Sequence, residues 1–357
     1  MKKAGLLLVG LIGISTLFAQ NHKSEGDVFA AAGNYSLAAA MYELCMKQDD
    51  DCLLKYFGLI RDEKIPHQSS DELYQLVNSL AQKGNSYAQL YLGWMYDIGR
   101  GVTQDYQEAI KWYQKSADQG HRGAQFALGW LYDHGNGVIK DHQEAMKWFL
   151  KSAEQGDERA QFSVGYYYAN GYGVKQDFQE AVKWYQKSAD QGNTQSQLFL
   201  GNMYETGRGV AQNYQEAIKW YQKGAYQGDR GAQFALGWMY DHGYGVNKDH
   251  QEAMKWFLKS AEQGDERAQF SVGYYYENGY GVKQNYQEAV KWYQKSAEQG
   301  NSQSQYFLGH MYENGYGVAR NFQEARKWFS MAAEQGFEYA IQGLKRLSNE
   351  DALSPGW

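Results

Sequence analysis

Apolar residues recur along this chain with the period of a helix. Two consecutive stripes with the spacing i, i+3, i+4, i+7, i+8 follow Asp229. The stripes are Ala232, Ala235, Leu236, Met239 and Tyr240, then Ala253, Trp256, Phe257, Ser260 and Ala261. One-sided stripes of this kind are typical of amphipathic helices, and the alternation with period two that a strand needs is absent. The pattern therefore predicts an all-α fold built from pairs of helices.

The pairs repeat every 36 residues. The stretch "DHQEAMKWFLKSAEQGDERAQFSVGYYY" occurs twice without a difference, at Asp141–Tyr168 and at Asp249–Tyr276, a separation of three repeats. Seven units in register fill residues 85–336. A fixed period of this length is typical of an array in which each unit contacts mainly its neighbours, so we interpret the identical stretches as a copied block of three units.

Polar residues mark where the second helix of each unit, the B helix, begins and ends. Each B helix opens with Asp or Asn and has Glu three residues later, which resembles a capping box with two reciprocal hydrogen bonds. The pairs are Asp105/Glu108, Asp141/Glu144, Asp177/Glu180, Asn213/Glu216, Asp249/Glu252, Asn285/Glu288 and Asn321/Glu324. A glycine ends each B helix, where we expect a left-handed residue. These are Gly120, Gly156, Gly192, Gly228, Gly264, Gly300 and Gly336.

The first helix of each unit, the A helix, has a glycine in its middle. The glycines are Gly93, Gly129, Gly165, Gly201, Gly237, Gly273 and Gly309. A glycine inside a helix costs about 1 kcal/mol relative to alanine, so a compensating close approach of a neighbouring helix is expected. We predict that a column of B-helix tryptophans fills the space between helices as core residues. They are Trp112, Trp148, Trp184, Trp220, Trp256, Trp292 and Trp328.

Diverged units are predicted at both ends. Residues 20–84 contain a B helix that opens at Ser69 and Glu72 and closes at Gly84, preceded by an A helix over residues 53–60 with Gly58 in the glycine slot. Residues 337–357 form a final capping helix and a tail. Its glycine slot holds Lys345, followed by Arg346, as suits an end that no further unit approaches.

The first 19 residues are interpreted as a secretory signal peptide. Lys2 and Lys3 precede a short apolar run over residues 4–15, and Ala19 suits a cleavage point. An uncleaved N-terminal anchor is the alternative. In an exported protein the two cysteines, Cys45 and Cys52, are predicted to form a disulfide, and two free buried thiols are the alternative. We expect a bacterial protein in the periplasm or outside the cell, with no membrane insertion after cleavage.

The repeated string "AQ-x-x-LG-x-x-Y-x-x-G-x-G-V-x-x-[DN]-x-x-EA-x-x-W" resembles the Sel-one-like repeat, a relative of the tetratricopeptide repeat. The resemblance implies an α/α solenoid of helix-turn-helix repeats in a right-handed superhelix. It also implies an adaptor that binds proteins. Some cysteine-rich members have been assigned β-lactamase or penicillin-binding activity, and they carry a cysteine pair between successive units throughout. This chain has one such pair.

Residues for catalysis or for metal binding are not evident. No S-x-x-K, S-D-N, K-T-G, G-x-S-x-G or H-E-x-x-H string occurs, and no cofactor is expected. The repeated "GYGV" is interpreted as a turn between helices. The pairs His134/His142 and His242/His250 have a conceivable metal spacing, but the second histidine of each stands where other units have Tyr or Phe. We predict that it fills an aromatic slot and that the chain has no metal site.

The residue that follows the A-helix glycine points away from the core stripe. This column reads Trp94, Trp130, Tyr166, Asn202, Trp238, Tyr274 and His310. Three residues later stand carboxylates, at Asp97, Asp133, Glu205, Asp241, Glu277 and Glu313. By resemblance to tetratricopeptide repeats, the column faces a concave groove. Aromatic residues flanked by carboxylates suit an extended peptide with basic or apolar side chains. A glycan is a second possible ligand, and packing on the adjacent helix without any ligand is the third interpretation.

The sequence thus predicts an exported, non-enzymatic, monomeric scaffold that binds a protein or peptide in a groove. A net charge of −6 gives no reason to expect nucleic acid as a partner. The alternatives are an envelope hydrolase of the β-lactamase or penicillin-binding type and a purely structural spacer.

Overall fold

The computed structural model describes the backbone of residues 70–353 and the side chains of residues 74–348. The signal peptide, the cysteine pair at Cys45 and Cys52, and the A helix predicted over residues 53–60 lie outside this part of the chain. Within residues 70–353 the structure has sixteen helices and no strand, so the predicted all-α fold is confirmed.

The chain divides into two compact units between Gln176 and Asp177. The described helices of the first unit are α1 (Ser70–Gln82), α2 (Ser86–Ile98), α3 (Tyr106–Asp118), α4 (Arg122–His134), α5 (His142–Glu154) and α6 (Glu158–Asn170). Those of the second unit are α7 (Phe178–Asp190), α8 (Thr194–Thr206), α9 (Tyr214–Tyr226), α10 (Arg230–His242), α11 (His250–Glu262), α12 (Glu266–Asn278), α13 (Tyr286–Glu298), α14 (Ser302–Asn314), α15 (Phe322–Glu334) and α16 (Glu338–Leu353). Within each unit every helix packs against the next in the chain, as in an α/α solenoid.

The B helices begin at the predicted caps, but only half of the capping box forms. The carboxylate of Asp105 accepts hydrogen bonds from the backbone N–H groups of Gln107 and Glu108. Glu108 does not return a bond to the cap and instead pairs with Lys111 at 2.5 Å. The N–H of Asp105 donates to the carbonyl of Tyr96 at 2.9 Å. The reciprocal bond was therefore a wrong prediction, because the returning loop places the cap against the last turns of the A helix.

The predicted close approach at the A-helix glycines is confirmed, but the ring that approaches is not tryptophan. A Cβ atom added at any of six of these glycines would lie 2.6–2.7 Å from a ring carbon of the residue that follows the B-helix tryptophan. The pairs are Gly93/Tyr113, Gly129/Phe149, Gly201/Tyr221, Gly237/Phe257, Gly273/Tyr293 and Gly309/Phe329. The ring lies against the bare backbone of its own repeat's A helix, and this contact offsets the low helix propensity of glycine.

The tryptophans are core residues, as predicted. Trp112, Trp148, Trp220, Trp256 and Trp328 are buried, whereas Trp184 and Trp292 are partly buried. Trp148 of α5 joins the cluster formed by Ala109, Leu128 and Leu131 on α3 and α4. A lysine ammonium lies over several of these rings, for example Lys151 over Trp148 at 3.9 Å. Trp148, Trp256, Trp292 and Trp328 thus connect their B helices to the preceding helix pair, and a lysine ammonium lies over the ring of each.

The "G-x-G-V" segment is a turn between helices, as predicted, and it also joins neighbouring repeats. Its first glycine ends the A helix in the left-handed conformation. Its second glycine packs against the start of the preceding B helix, where an added Cβ would lie less than 3.0 Å from that helix. The pairs within one unit are Gly137/Tyr106, Gly173/His142, Gly209/Phe178, Gly245/Tyr214, Gly281/His250 and Gly317/Tyr286. The close approach and the positive φ both require glycine at this position.

A ladder of glutamines also links successive repeats. The side-chain N–H of buried Gln89 donates to the carbonyl of Ala81 in the preceding B helix at 3.1 Å. Its oxygen accepts from Gln119, at the end of the B helix of its own repeat, at 2.7 Å. The same arrangement recurs at Gln125 with Gln155 and at Gln233 with Gln263. Each of these A-helix glutamines thus donates to the preceding repeat and accepts from the B helix of its own repeat.

At the C-terminal end, Lys345 of α16 is exposed, in agreement with the predicted charged cap. Arg346 instead reaches back and forms a bidentate ion pair with the buried carboxylate of Glu313, with an N–O distance of 2.9 Å.

Candidate partner-binding surface

The predicted column, which we call the A-helix column, lies on one face of the A helices in each unit. In the first unit it consists of Trp94, Trp130 and Tyr166; in the second it consists of Asn202, Trp238, Tyr274 and His310. Trp130 and Trp238 are the most exposed aromatic members, with 39% and 41% of their surface exposed. Asn202 is also exposed, and the other members are partly buried.

Each exposed tryptophan packs on a histidine one turn later. The ring centroids of Trp130 and His134 are 4.1 Å apart, and those of Trp238 and His242 are 3.8 Å apart. The Nδ1 atom of each histidine also lies within hydrogen-bonding distance of the tryptophan carbonyl, at 2.9 and 3.1 Å. The indoles are therefore held in a fixed orientation before any partner arrives, which lowers the entropy lost on binding.

The partly buried members pack on neighbouring rings. Trp94 lies 5.0 Å from Tyr91, measured between ring centroids. Tyr274 of α12 packs edge-on against Phe307 of α14 at 6.1 Å. For these positions the third interpretation, packing on adjacent helices, describes part of what the rings do.

The carboxylates three residues later accept hydrogen bonds from buried tyrosines. Tyr113 donates to Asp97 at 3.1 Å, and Tyr293 donates to Glu277 at 2.5 Å. Burial raises the pKa of Asp97, and the bond from Tyr113 partly opposes this shift. Burial likewise raises the pKa of Glu277, opposed by the bond from Tyr293 and by His310. Burial and the adjacent carboxylate raise the pKa of Tyr293. These carboxylates thus have a structural role as well as a negative charge.

The tyrosine that donates to each carboxylate depends on which residue packs against the A-helix glycine. Where that residue is tyrosine, its own hydroxyl donates, as Tyr221 does to Glu205. Where it is Phe149, Tyr167 of the next A helix donates to Asp133. In the other copy, with Phe257, Tyr275 donates to Asp241. Other A helices have Met or Leu at the position of Tyr167 and Tyr275. The chain therefore supplies one donor to each of these carboxylates by either of two routes.

His142 and His250 fill aromatic slots, as predicted. His142 stacks on Tyr172 with 5.0 Å between ring centroids, and His250 stacks on Tyr280 at the same distance. The Nδ1 atom of His142 lies 3.0 Å from Asp133. Within the described part of the chain, no three His, Cys, Asp or Glu side chains are grouped so that they could hold a metal ion.

A cavity of about 540 Å³ opens beside the A-helix column in the second unit. Its lining residues come from α8, α9, α10 and α12. They are Leu198, Phe199, Asn202, Glu205, Tyr221, Gly231, Phe234, Ala235, Trp238 and Arg267. Three of them, Asn202, Glu205 and Trp238, are residues that the sequence assigned to the binding surface. The volume lies within the range of about 300–1,000 Å³ that is usual for ligand pockets.

Sequence reasoning missed the remaining walls of this cavity. Phe199 precedes Asn202 by three residues and Phe234 precedes Trp238 by four, so both lie on the same helix face as the column. This spacing was the signal that could have found them. Arg267 comes from the next A helix and packs over the Phe234 ring at 4.4 Å while pairing with Asp265 at 2.8 Å. A contact between helices of this kind has no signal in local spacing.

Comparison with protein families identifies the repeat. The model described as "Sel1 repeat" matches seven consecutive segments, 86–121, 123–157, 158–193, 194–229, 231–265, 266–301 and 302–337. The chain belongs to the Sel1 repeat family. Sel1 repeats, like tetratricopeptide repeats, build helical scaffolds that are typical of protein–protein interaction.

Two solved Sel1 repeat structures resemble this one. A protective antigen of uropathogenic Escherichia coli that displays the same fold is 38% identical, with a TM-score of 0.76 over 86% of this chain. This chain spans 66% of that antigen. A Sel1 repeat protein from Oxalobacter formigenes is 34% identical, with a TM-score of 0.62, and the match covers 68% of this chain and 96% of that one. No curated protein matches this chain.

A search of the described residues finds no helix that is both long and apolar enough to cross a membrane.

Proposed function

We propose that this Sel1 repeat protein is an exported, non-enzymatic adaptor that binds peptide segments of a protein partner on the part of the A-helix column in each unit. The observation that carries this proposal is the exposure of Trp130 and Trp238, each held in orientation by a stacked histidine. Rigid aromatic side chains are enriched among the residues that dominate binding energy at interfaces. The signal-like first 19 residues support export.

The proposed groove combines shape with charge. The column supplies apolar contact area, and the carboxylates three residues later supply a negative potential on the same side. All four of Asp133, Asp241, Glu205 and Glu277 accept a hydrogen bond from tyrosine, and Asp133 and Asp241 each also lie beside two histidines. A peptide with apolar and basic side chains fits this combination.

A peptide library displayed on phage tests the proposal directly. Residues 20–357 should enrich peptides that combine apolar or aromatic residues with lysine or arginine. The double variant Trp130→Ala/Trp238→Ala should bind the enriched peptides at least about tenfold more weakly, because truncating an aromatic anchor removes about 1.4 kcal/mol or more.

The control is Ile139→Ala, which removes an exposed apolar side chain from a loop outside the column, where Ile139 is 90% exposed. It should leave binding unchanged, and circular dichroism should show full helicity for every variant. Retained binding by the helical tryptophan variant would contradict the proposal.

A further inference from the structure

The residues that line the cavity in the second unit have counterparts 108 residues earlier, and three of the ten pairs differ: Phe199/Tyr91, Asn202/Trp94 and Glu205/Asp97. Most walls are the same residue type in both, including Leu90/Leu198, Phe126/Phe234, Ala127/Ala235, Trp130/Trp238 and Arg159/Arg267. Arg159 lies over Phe126 at 4.5 Å and pairs with Asp157 at 2.8 Å, as Arg267 does with Phe234 and Asp265. The two sites therefore share the same surrounding residues and contacts, which we call the frame.

The first unit has an indole of its own among the corresponding residues. Trp94 stands where the second unit has Asn202, and its ring packs at 5.0 Å from the ring of Tyr91. It is partly buried against the cluster that contains Tyr113 and Leu128. The guanidinium of Arg100 lies over the indole at 5.5 Å. The first unit thus shows which side chain this frame accommodates.

The second unit lacks that side chain. Asn202 is exposed, and its side chain is much smaller than an indole. Beside it lies the cavity between Phe199, Phe234 and Trp238. Arg208, the counterpart of Arg100, lies over Phe178 at 5.9 Å instead. An apolar space bounded by aromatic rings favours an aromatic occupant, since ring pairs add about 0.5–1.5 kcal/mol beyond the area they bury.

We propose that this cavity is a specificity pocket for a tryptophan side chain of the partner peptide, which takes the place that Trp94 fills in the first unit. This inference rests on the proposed function and adds to it the identity of one anchoring side chain. The peptide's indole packs between Phe234 and Trp238, beside Asn202, whose side chain hydrogen bonds with Tyr221. In the first unit Trp94 stands at the position of Asn202, so we expect this side chain to bind in the second unit only.

The test uses N-acetyl-tryptophanamide as the probe on residues 20–357, detected by saturation-transfer NMR and by soaking crystals. The unmodified protein should transfer saturation to the indole, with density for the ring beside Trp238. Asn202→Trp should weaken binding at least tenfold, because its own indole fills the cavity. Asn202→Ala, which leaves the cavity open, should keep binding within about threefold.

The reciprocal variant provides a gain of function. Trp94→Asn should open the corresponding cavity of the first unit and raise the number of probe sites from one to two. The pocket is refuted if the unmodified protein gives no signal, if Asn202→Trp binds as well as the parent, or if N-acetyl-leucinamide binds as tightly as the tryptophan probe.

The two proposals fail separately. Library peptides that depend on Trp130 and Trp238 but bind Asn202→Trp normally would leave the adaptor function in place and overturn the pocket. Probe binding that Asn202→Trp abolishes, in a protein that enriches no peptide, would support the pocket and overturn the adaptor function.

Discussion

The two copies of the duplicated block have the same distances between packed side chains. The Nδ1 atom of His142 lies 3.0 Å from Asp133, and the distance from His250 to Asp241 is also 3.0 Å. The stacking distances onto Tyr172 and Tyr280 agree as well. Identical sequence in a repeated surrounding gives identical geometry, because each repeat contacts mainly its neighbours.

The copies differ on the A-helix column, well before the identical stretches begin. In the first unit Trp94 packs against Tyr91, whereas in the second unit Asn202 lines a cavity. Both residues lie beside a glycine–aromatic pair that is the same in the two copies, Gly93/Tyr113 and Gly201/Tyr221. The difference teaches that the column can change while the frame stays fixed, which is how one repeat array acquires two kinds of surface.

The largest expected effect comes from disturbing what the copies share. Gly129→Leu and Gly237→Leu should each lower the free energy of unfolding by about 3 kcal/mol, because the side chain would overlap the rings of Phe149 and Phe257. Urea unfolding followed by circular dichroism measures this loss, which should be similar for the two sites.

The corresponding alanine variants serve as controls. Their loss should be smaller, since the gain in helix propensity, about 1 kcal/mol, offsets part of the overlap. A leucine variant as stable as the parent would show that the two helices can move apart at this contact. The close approach would then not be the reason that glycine occupies the position.

The second effect separates the copies. Trp94→Asn should destabilise the protein by about 1–3 kcal/mol, because it removes a partly buried ring from its contacts with Tyr91. Asn202→Trp should change stability by less than about 1 kcal/mol, in the stabilising direction, because the new ring enters an existing apolar space. Equal and opposite changes measured by urea unfolding would instead indicate that both positions belong to the core.

The smallest effect concerns pH and the buried carboxylates of each unit. Partial burial raises the native pKa values of Asp97 and Glu277, so between the unfolded and the native pKa value the native state holds a proton that the unfolded state has released. Each group therefore contributes stability below its unfolded pKa and loses that contribution as pH rises through the native value.

Glu277→Gln and Asp97→Asn should each reduce the loss of stability that accompanies rising pH. Each variant should therefore be more stable than the parent at pH 7 but not at pH 3. Thermal unfolding at both pH values measures the difference. A gain of the same size at pH 3 would assign the effect to packing and not to charge.

Periodicity was enough to predict the helices, their caps and the tryptophan core, because each depends on neighbours close in sequence. The mistaken details involve residues farther apart. The backbone N–H of the cap residue Asp105 donates to the carbonyl of Tyr96 across the loop. The ring that packs against Gly93 belongs to Tyr113, one position after the predicted tryptophan. A shift of one residue turns a helix face by about 100°, which the stripe pattern does not resolve.

The "AQ" of the repeat motif had no role in the sequence analysis, yet Gln89 and its counterparts connect successive repeats through buried amides. A polar residue inside an apolar stripe indicates a hydrogen bond but does not identify its partner. The cavity is a similar case. The column was predicted by spacing, but the wall contributed by Arg267 comes from the next A helix.

The second loop glycine constrains how such an array changes length in evolution. Gly173 fits only against the first backbone atoms of the helix that begins at His142, and the same fit recurs at each later loop of the second unit. Recombination between copies preserves every one of these fits when it adds or removes a whole multiple of 36 residues. An exchange displaced by a single codon would set a bulky side chain against a carbonyl group, so unequal crossing-over can lengthen this protein only in steps of complete repeats.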